Sequence, residues 1–101
     1  MAQSMLQRYI ALAREGTQAA VGEVLSHLDP RMTLVESKFI DFALSHVQSA
    51  EGVAAMEQAL FTGTQIQRNY CALYFGRRGE YAIVRRAYDR GLIDAKQAFS
   101  R

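Results

Sequence analysis

The chain has no tryptophan, one proline (Pro30), one cysteine (Cys71) and two histidines (His27 and His46) among its 101 residues. Each shortage closes off a class of chemistry. A single Cys71 cannot form an internal disulfide, and neither a CxxC nor a Cys and His pair at zinc-ligand spacing occurs. A reducing, cytoplasmic setting is therefore expected, with no metal and no cofactor. Strand-favouring runs of Val, Ile and Thr are missing, as is any stretch near the roughly eighteen apolar residues that a membrane span needs. Arg8 and Arg14 interrupt what could otherwise be the core of a signal peptide, so a soluble protein that is not exported is expected. The sequence GRRGE at 76–80 lacks the Lys and hydroxyl of a Walker loop and follows no strand. With no histidine in a nucleophile motif and no paired carboxylates in a pocket context, an enzyme is not expected.

What is present is helical. Apolar residues make up half the chain, so disorder is not expected, and the length suits one domain spanning 1–101 with a modest core. The stretch 64–91 organises the rest. Ile66, Tyr70, Leu73 and Tyr74 fall at i, i+4, i+7 and i+8, with Cys71 and Phe75 widening the same side. Thr64 can cap this helix, and Gly76 and Gly79 can end it. A second helix follows from Glu80 through Tyr81, Val84, Ala87 and Tyr88 to Gly91, with Arg85, Arg86, Asp89 and Arg90 on its other side. So short a connection makes the two helices antiparallel neighbours.

The same logic runs back to the N-terminus. Met5, Leu6, Tyr9, Ile10, Leu12 and Ala13 mark a first helix ending at Gly16; Thr17 caps a second with stripe Ala20, Val21, Val24, Leu25 and Leu28, ended by Asp29 and Pro30. Thr33 to Glu36 reads as a capping box for a third helix reaching about Gln48, its stripe Val35, Phe39, Phe42, Ala43, His46 and Val47. Val53, Met56, Ala59, Leu60 and Phe61 form a fourth, broken at Thr62 and Gly63, and Asp94 caps a short last helix. The expected fold is all-α: three antiparallel hairpins, at about 4–28, 33–61 and 64–91, stacked as a short α-solenoid or compact helical bundle, plus a C-terminal helix at about 94–100.

Leu12, Arg14, Gly16, Val21 and Leu25 match Phe75, Arg77, Gly79, Val84 and Tyr88 at a constant offset of 63 residues, a step read from the sequence itself. Placing Val47, Glu51, Met56 and Leu60 between them divides that offset into two steps whose average is near the thirty or so residues of helical-hairpin repeats. On these residues, ALAREGTQAAVGEVLSHL at 11–28 and GRRGEYAIVRRAY at 76–88 resemble the short HEAT-like repeat of the phycobilin-lyase type, with its apolar helix, Arg, Gly, polar turn and Ala-Val helix. The resemblance implies that the second helices line a concave face. By fold-level analogy alone it also admits a cofactor-handling subunit.

Net charge is +2, unevenly spread: four basic against seven acidic side chains over 1–63, eight against three over 64–101. On the repeat reading the outward row of the second helices is Glu23, Gln58 and Arg86, with His27, Thr62 and Arg90 a turn further on and Arg85 and Tyr81 beside it. Arg next to Tyr is the composition of interface hot spots, and Arg77, Arg78, Arg85, Arg86 and Arg90 crowd into fourteen residues. The plain alternative is a solvated helix face. Cys71, on an apolar stripe, reads as a buried inert thiol, and His46 as a core histidine. These observations lead to a small protein-interaction module, an adaptor or scaffold, that docks an acidic partner surface or a second copy through Arg77, Arg78, Tyr81, Arg85, Arg86, Arg90, Glu23 and Gln58. Nucleic-acid binding by the Arg-rich half is the rival from another class.

Overall fold

The structure is a computed structural model that describes residues 4–99. Among those residues there are seven α-helices and no strand: α1 (Met5–Glu15), α2 (Gln18–Ser26), α3 (Leu34–Leu44), α4 (Ala50–Thr62), α5 (Gln65–Arg77), α6 (Tyr81–Asp89) and α7 (Ala95–Phe99). No helix among them is long and apolar enough to cross a membrane. The last helix was expected to reach about residue 100, which lies outside the described residues.

The helix starts follow from short polar side chains that satisfy first-turn amides. Ser4, Thr33 and Thr64 each close a capping box, with Gln7, Glu36 and Gln67 reaching back to the cap's own amide, and Thr17 accepts from the Ala20 amide. Asp94 caps the last helix by accepting from the Gln97 amide at 3.0 Å. Glu80 stands at the N-cap of α6 but makes no side-chain cap bond; its carboxylate takes Arg78 instead.

The chain forms two compact units, residues 1–56 and 57–101, the division falling within α4. In the first, α1 packs against both α3 and α2, and α2 also meets α3. Its core holds Tyr9, Ala13, Val21, Val24, Leu25, Ile40, Leu44, Val47 and Met56. The second clusters α5, α6 and α7 around Cys71, Phe75, Ile83, Val84, Ala87 and Ile93.

α3 departs from expectation in length and in orientation. It stops at Leu44, with Ser45 as its cap, instead of reaching Gln48. The side it buries is Ser37, Ile40, Ala43 and Leu44, whereas Val35, Phe39 and Phe42 of the expected stripe are exposed. The physical reason is Ser37. Its hydroxyl donates to the Leu34 carbonyl at 2.9 Å, so a residue that reads as polar brings no unmet hydrogen bond into the interior. His46, expected in the core, is only half-buried; its Nδ1 lies 3.2 Å from the Phe42 carbonyl and its ring meets the Phe42 ring edge-on at 5.2 Å.

Candidate functional site

The Arg-rich end takes its shape from α6, where Ile83, Val84 and Ala87 face inward and Tyr81, Arg85, Arg86 and Arg90 are exposed. Tyr81, which the sequence places both on the apolar side of this helix and beside the outward row, sits on the open first turn, 43% exposed. Arg86 and Arg90 are four residues apart, hence on one side of the helix, and both guanidinium groups lie over the same ring. Their central carbons are 5.7 and 5.1 Å from the Phe61 centroid. Glu57, one turn before Phe61 on α4, approaches Arg86 at 3.7 Å. Two exposed guanidinium groups beside one aromatic ring supply forked donors of the kind that grip a carboxylate or phosphate.

The other arginines are engaged more locally. Arg85 donates to Asp89 at 3.1 Å and lies 6.0 Å from the centroid of the exposed Phe99 ring. Arg78 donates to Glu80 at 2.6 Å and stacks 5.3 Å above Tyr74; the Glu80 hydrogen bond holds the Arg78 guanidinium protonated above its ordinary range. Arg77 is exposed in the last turn of α5, and Gln58 is exposed on α4. Glu23 belongs to the first unit, where its carboxylate accepts from Arg8 at 2.9 Å. The structure thus brings Arg86 and Arg90 together, gives Arg78 and Arg85 separate partners, and places Glu23 in the other unit.

Sequence reasoning missed two participants. Phe61 was assigned to an apolar stripe, and Glu57 to no role, although Glu57 and Phe61 at i and i+4 ahead of the Gly63 break were available as a signal. It also missed a cleft of about 340 Å³ in the first unit, lined by Tyr9, His27, Asp29, Arg31, Glu36 and Phe39 among others. There the Tyr9 and His27 rings sit 5.3 Å apart, and burial raises the Tyr9 hydroxyl above its ordinary range. Hydrogen bonds from the Arg31 side chain and amide pull the exposed Asp29 carboxyl down to about 2. Residues from 5 to 39 meet at this cleft, a separation no local pattern reveals.

Cys71 has no accessible surface, and burial pushes its thiol up to about 12. Among the described residues, no three His, Cys, Asp or Glu side chains come close enough to hold a metal ion. Comparison with protein families, with curated proteins and with solved structures returns no match.

Proposed function

We propose that this chain is a short helical-repeat docking module, not an enzyme, which captures an acidic surface of a partner protein through the Arg86 and Arg90 pair over Phe61. That pair is the observation that carries the reading. A ring beneath both guanidinium groups restrains their rotamers before a partner arrives, which lowers the entropy lost on binding. Their intramolecular bonds are no obstacle. Exposed ion pairs such as Arg86 with Glu57 are worth about 0–1 kcal/mol, so an incoming carboxylate displaces them at little cost. Arg85 and Tyr81, also exposed, stand on another flank of α6, where Arg85 meets Asp89 and Phe99.

The repeat reading draws support from the geometry of two helix pairs. Adding 63 to the bounds of α2 (Gln18–Ser26) gives those of α6 (Tyr81–Asp89). The turns before them use Gly16 and Gly79 at φ 70° and 75°, and buried Ala20, Val21 and Val24 correspond to buried Ile83, Val84 and Ala87. A cytoplasmic setting suits the buried free thiol of Cys71.

The test uses a fluorescein-labelled peptide of ten glutamates, followed by anisotropy at low and moderate salt. Binding is expected, weakened by salt, and at least tenfold weaker for Arg86→Glu with Arg90→Glu; Phe61→Ala is expected to lose several-fold with both charges kept. Peptide binding that ignores these substitutions removes the surface. A random DNA duplex runs in parallel: duplex binding with a steep salt slope, and none of the acidic peptide, supports the nucleic-acid alternative instead.

A further inference from the structure

The cleft beside Tyr9 and His27 belongs wholly to the first unit and shares no residue with the Arg86 and Arg90 surface. Its volume, about 340 Å³, is that of a small-molecule site. Met5, Met32 and Phe39 supply hydrocarbon and thioether walls. The most enclosed lining residue is Tyr9, 4% exposed, and its hydroxyl has no hydrogen-bond partner among the described residues. Every fully buried side-chain nitrogen or oxygen among those residues is hydrogen-bonded, so the Tyr9 oxygen is not sealed in; the little exposure the residue keeps includes it. Glu36, which lines the same cleft, stands close enough for its charge to act on that hydroxyl. A phenol so enclosed, with nothing to bond, gains from a polar group brought in by a ligand.

The charge in the cleft is negative. With His27 neutral, its ionisable side chains are Asp29 and Glu36 against Arg31, a sum of −1. Asp29 and Arg31 satisfy each other through side-chain hydrogen bonds at 3.2 and 3.1 Å. Glu36 makes no ion pair among the described residues; its carboxylate accepts only the Thr33 amide, at 3.3 Å, and keeps acceptor capacity to spare. The other cation near Tyr9, Arg8, is committed to Glu23 at 2.9 Å.

We propose that the cleft binds a small aromatic amine, its ammonium held by the Glu36 carboxylate and the Tyr9 hydroxyl oxygen and its ring laid against Met5, Met32 and Phe39. An ammonium brings three donors and no acceptor, which matches a free carboxylate beside an unbonded phenol oxygen. A flat ring suits walls of thioether and phenyl, where sulfur and aromatic contacts are favourable. An alkyl amine without the ring meets the charge but leaves those walls wet, and a carboxylate on the same ring meets Glu36 with repulsion. This site and acidic-partner capture by Arg86 and Arg90 stand or fall separately.

Amide chemical shifts of the isotope-labelled full chain, followed by NMR during addition of phenethylamine to about 20 mM at neutral pH, test it. Saturable shifts are expected at Tyr9, His27, Met32 and Glu36 and not on α6, with a dissociation constant on the order of 1 mM. Glu36→Gln removes the charge but keeps the helix cap, because Gln serves at the same capping-box position in Gln7 and Gln67. It is expected to weaken binding at least about fivefold. Tyr9→Phe, which keeps the ring, is expected to weaken it about threefold or more. Hydrocinnamate and n-butylamine are run on the native chain, so these arms decide even where a variant unfolds, and both are expected to bind more weakly than phenethylamine. The absence of saturable shifts, equal binding of hydrocinnamate or n-butylamine, or an affinity untouched by Glu36→Gln or by Tyr9→Phe each overturns the proposal.

Discussion

Alanine in place of Gly16 is expected to destabilise the protein by about 3 kcal/mol or more, while alanine in place of Gly79 costs only about 1 kcal/mol. Both glycines are left-handed turn residues, at φ 70° and 75°, so both substitutions bear the same conformational penalty. Their surroundings differ. A Cβ on Gly79 meets nothing within 4 Å, whereas one on Gly16 overlaps the Ser49 hydroxyl and comes to 3.0 Å from the Ser49 Cβ. That hydroxyl cannot step aside freely. It donates to the Gly16 carbonyl at 2.7 Å and accepts from the Gly52 amide at 3.0 Å, both partly buried, and displacing it breaks two bonds worth about 1 kcal/mol each. In a chain of this size each kcal/mol moves the melting midpoint by roughly 4–8 °C, so a thermal melt should separate the variants by more than about 8 °C. Equal melting temperatures would show that Ser49 does not lock the first turn.

Cys71 should react with a thiol reagent at least about a thousandfold more slowly in the folded protein than in the unfolded chain at pH 8. The thiolate is the reacting species, and a folded-state value of about 12 against an unperturbed 9.0 leaves roughly one thiol in ten thousand ionised at that pH. Steric occlusion adds to this, since the sulfur has no access to solvent. The sign of the linkage is fixed by the direction of the shift. Folding favours the protonated thiol, so its contribution is full below about pH 9 and is lost as pH rises from there toward about 12. Labelling with a chromogenic disulfide should therefore track unfolding in a denaturant series. Rapid labelling of the native protein would mean that α5 opens locally.

How far the sequence carries depends on whether the information is local. Caps are local: Thr17, Thr33, Thr64 and Asp94 each stand where a hydroxyl or carboxylate meets first-turn amides, and each caps a helix as anticipated. The buried stripe of α2 is legible for a related reason, Ala20, Val21, Val24 and Leu25, with Leu28 just past its end, leaving only one side for solvent. The Arg-rich side of α6 was visible too, but not the Phe61 ring beneath Arg86 and Arg90, which comes from a different helix. The cleft beside Tyr9 and His27 draws on α1, α3 and the loop between α2 and α3, so no single window contains it. α3 failed for another cause. Its apolar residues occupy two sides, and periodicity alone ranks Val35, Phe39 and Phe42 above the side that contains Ser37.

That two-sidedness bears on how the chain reaches its native state. A helix coated with hydrocarbon on opposite flanks can collapse onto its neighbours in either of two rotations, because each hides a similar area of oil from water. Shape must then discriminate where hydrophobicity does not, and the side that goes inward is the one with Ser37, Ile40, Ala43 and Leu44, not the one with two phenyl groups. The nascent protein accordingly has a competing, half-turned arrangement built into a single segment, a local source of frustration beside otherwise consistent capping and packing signals.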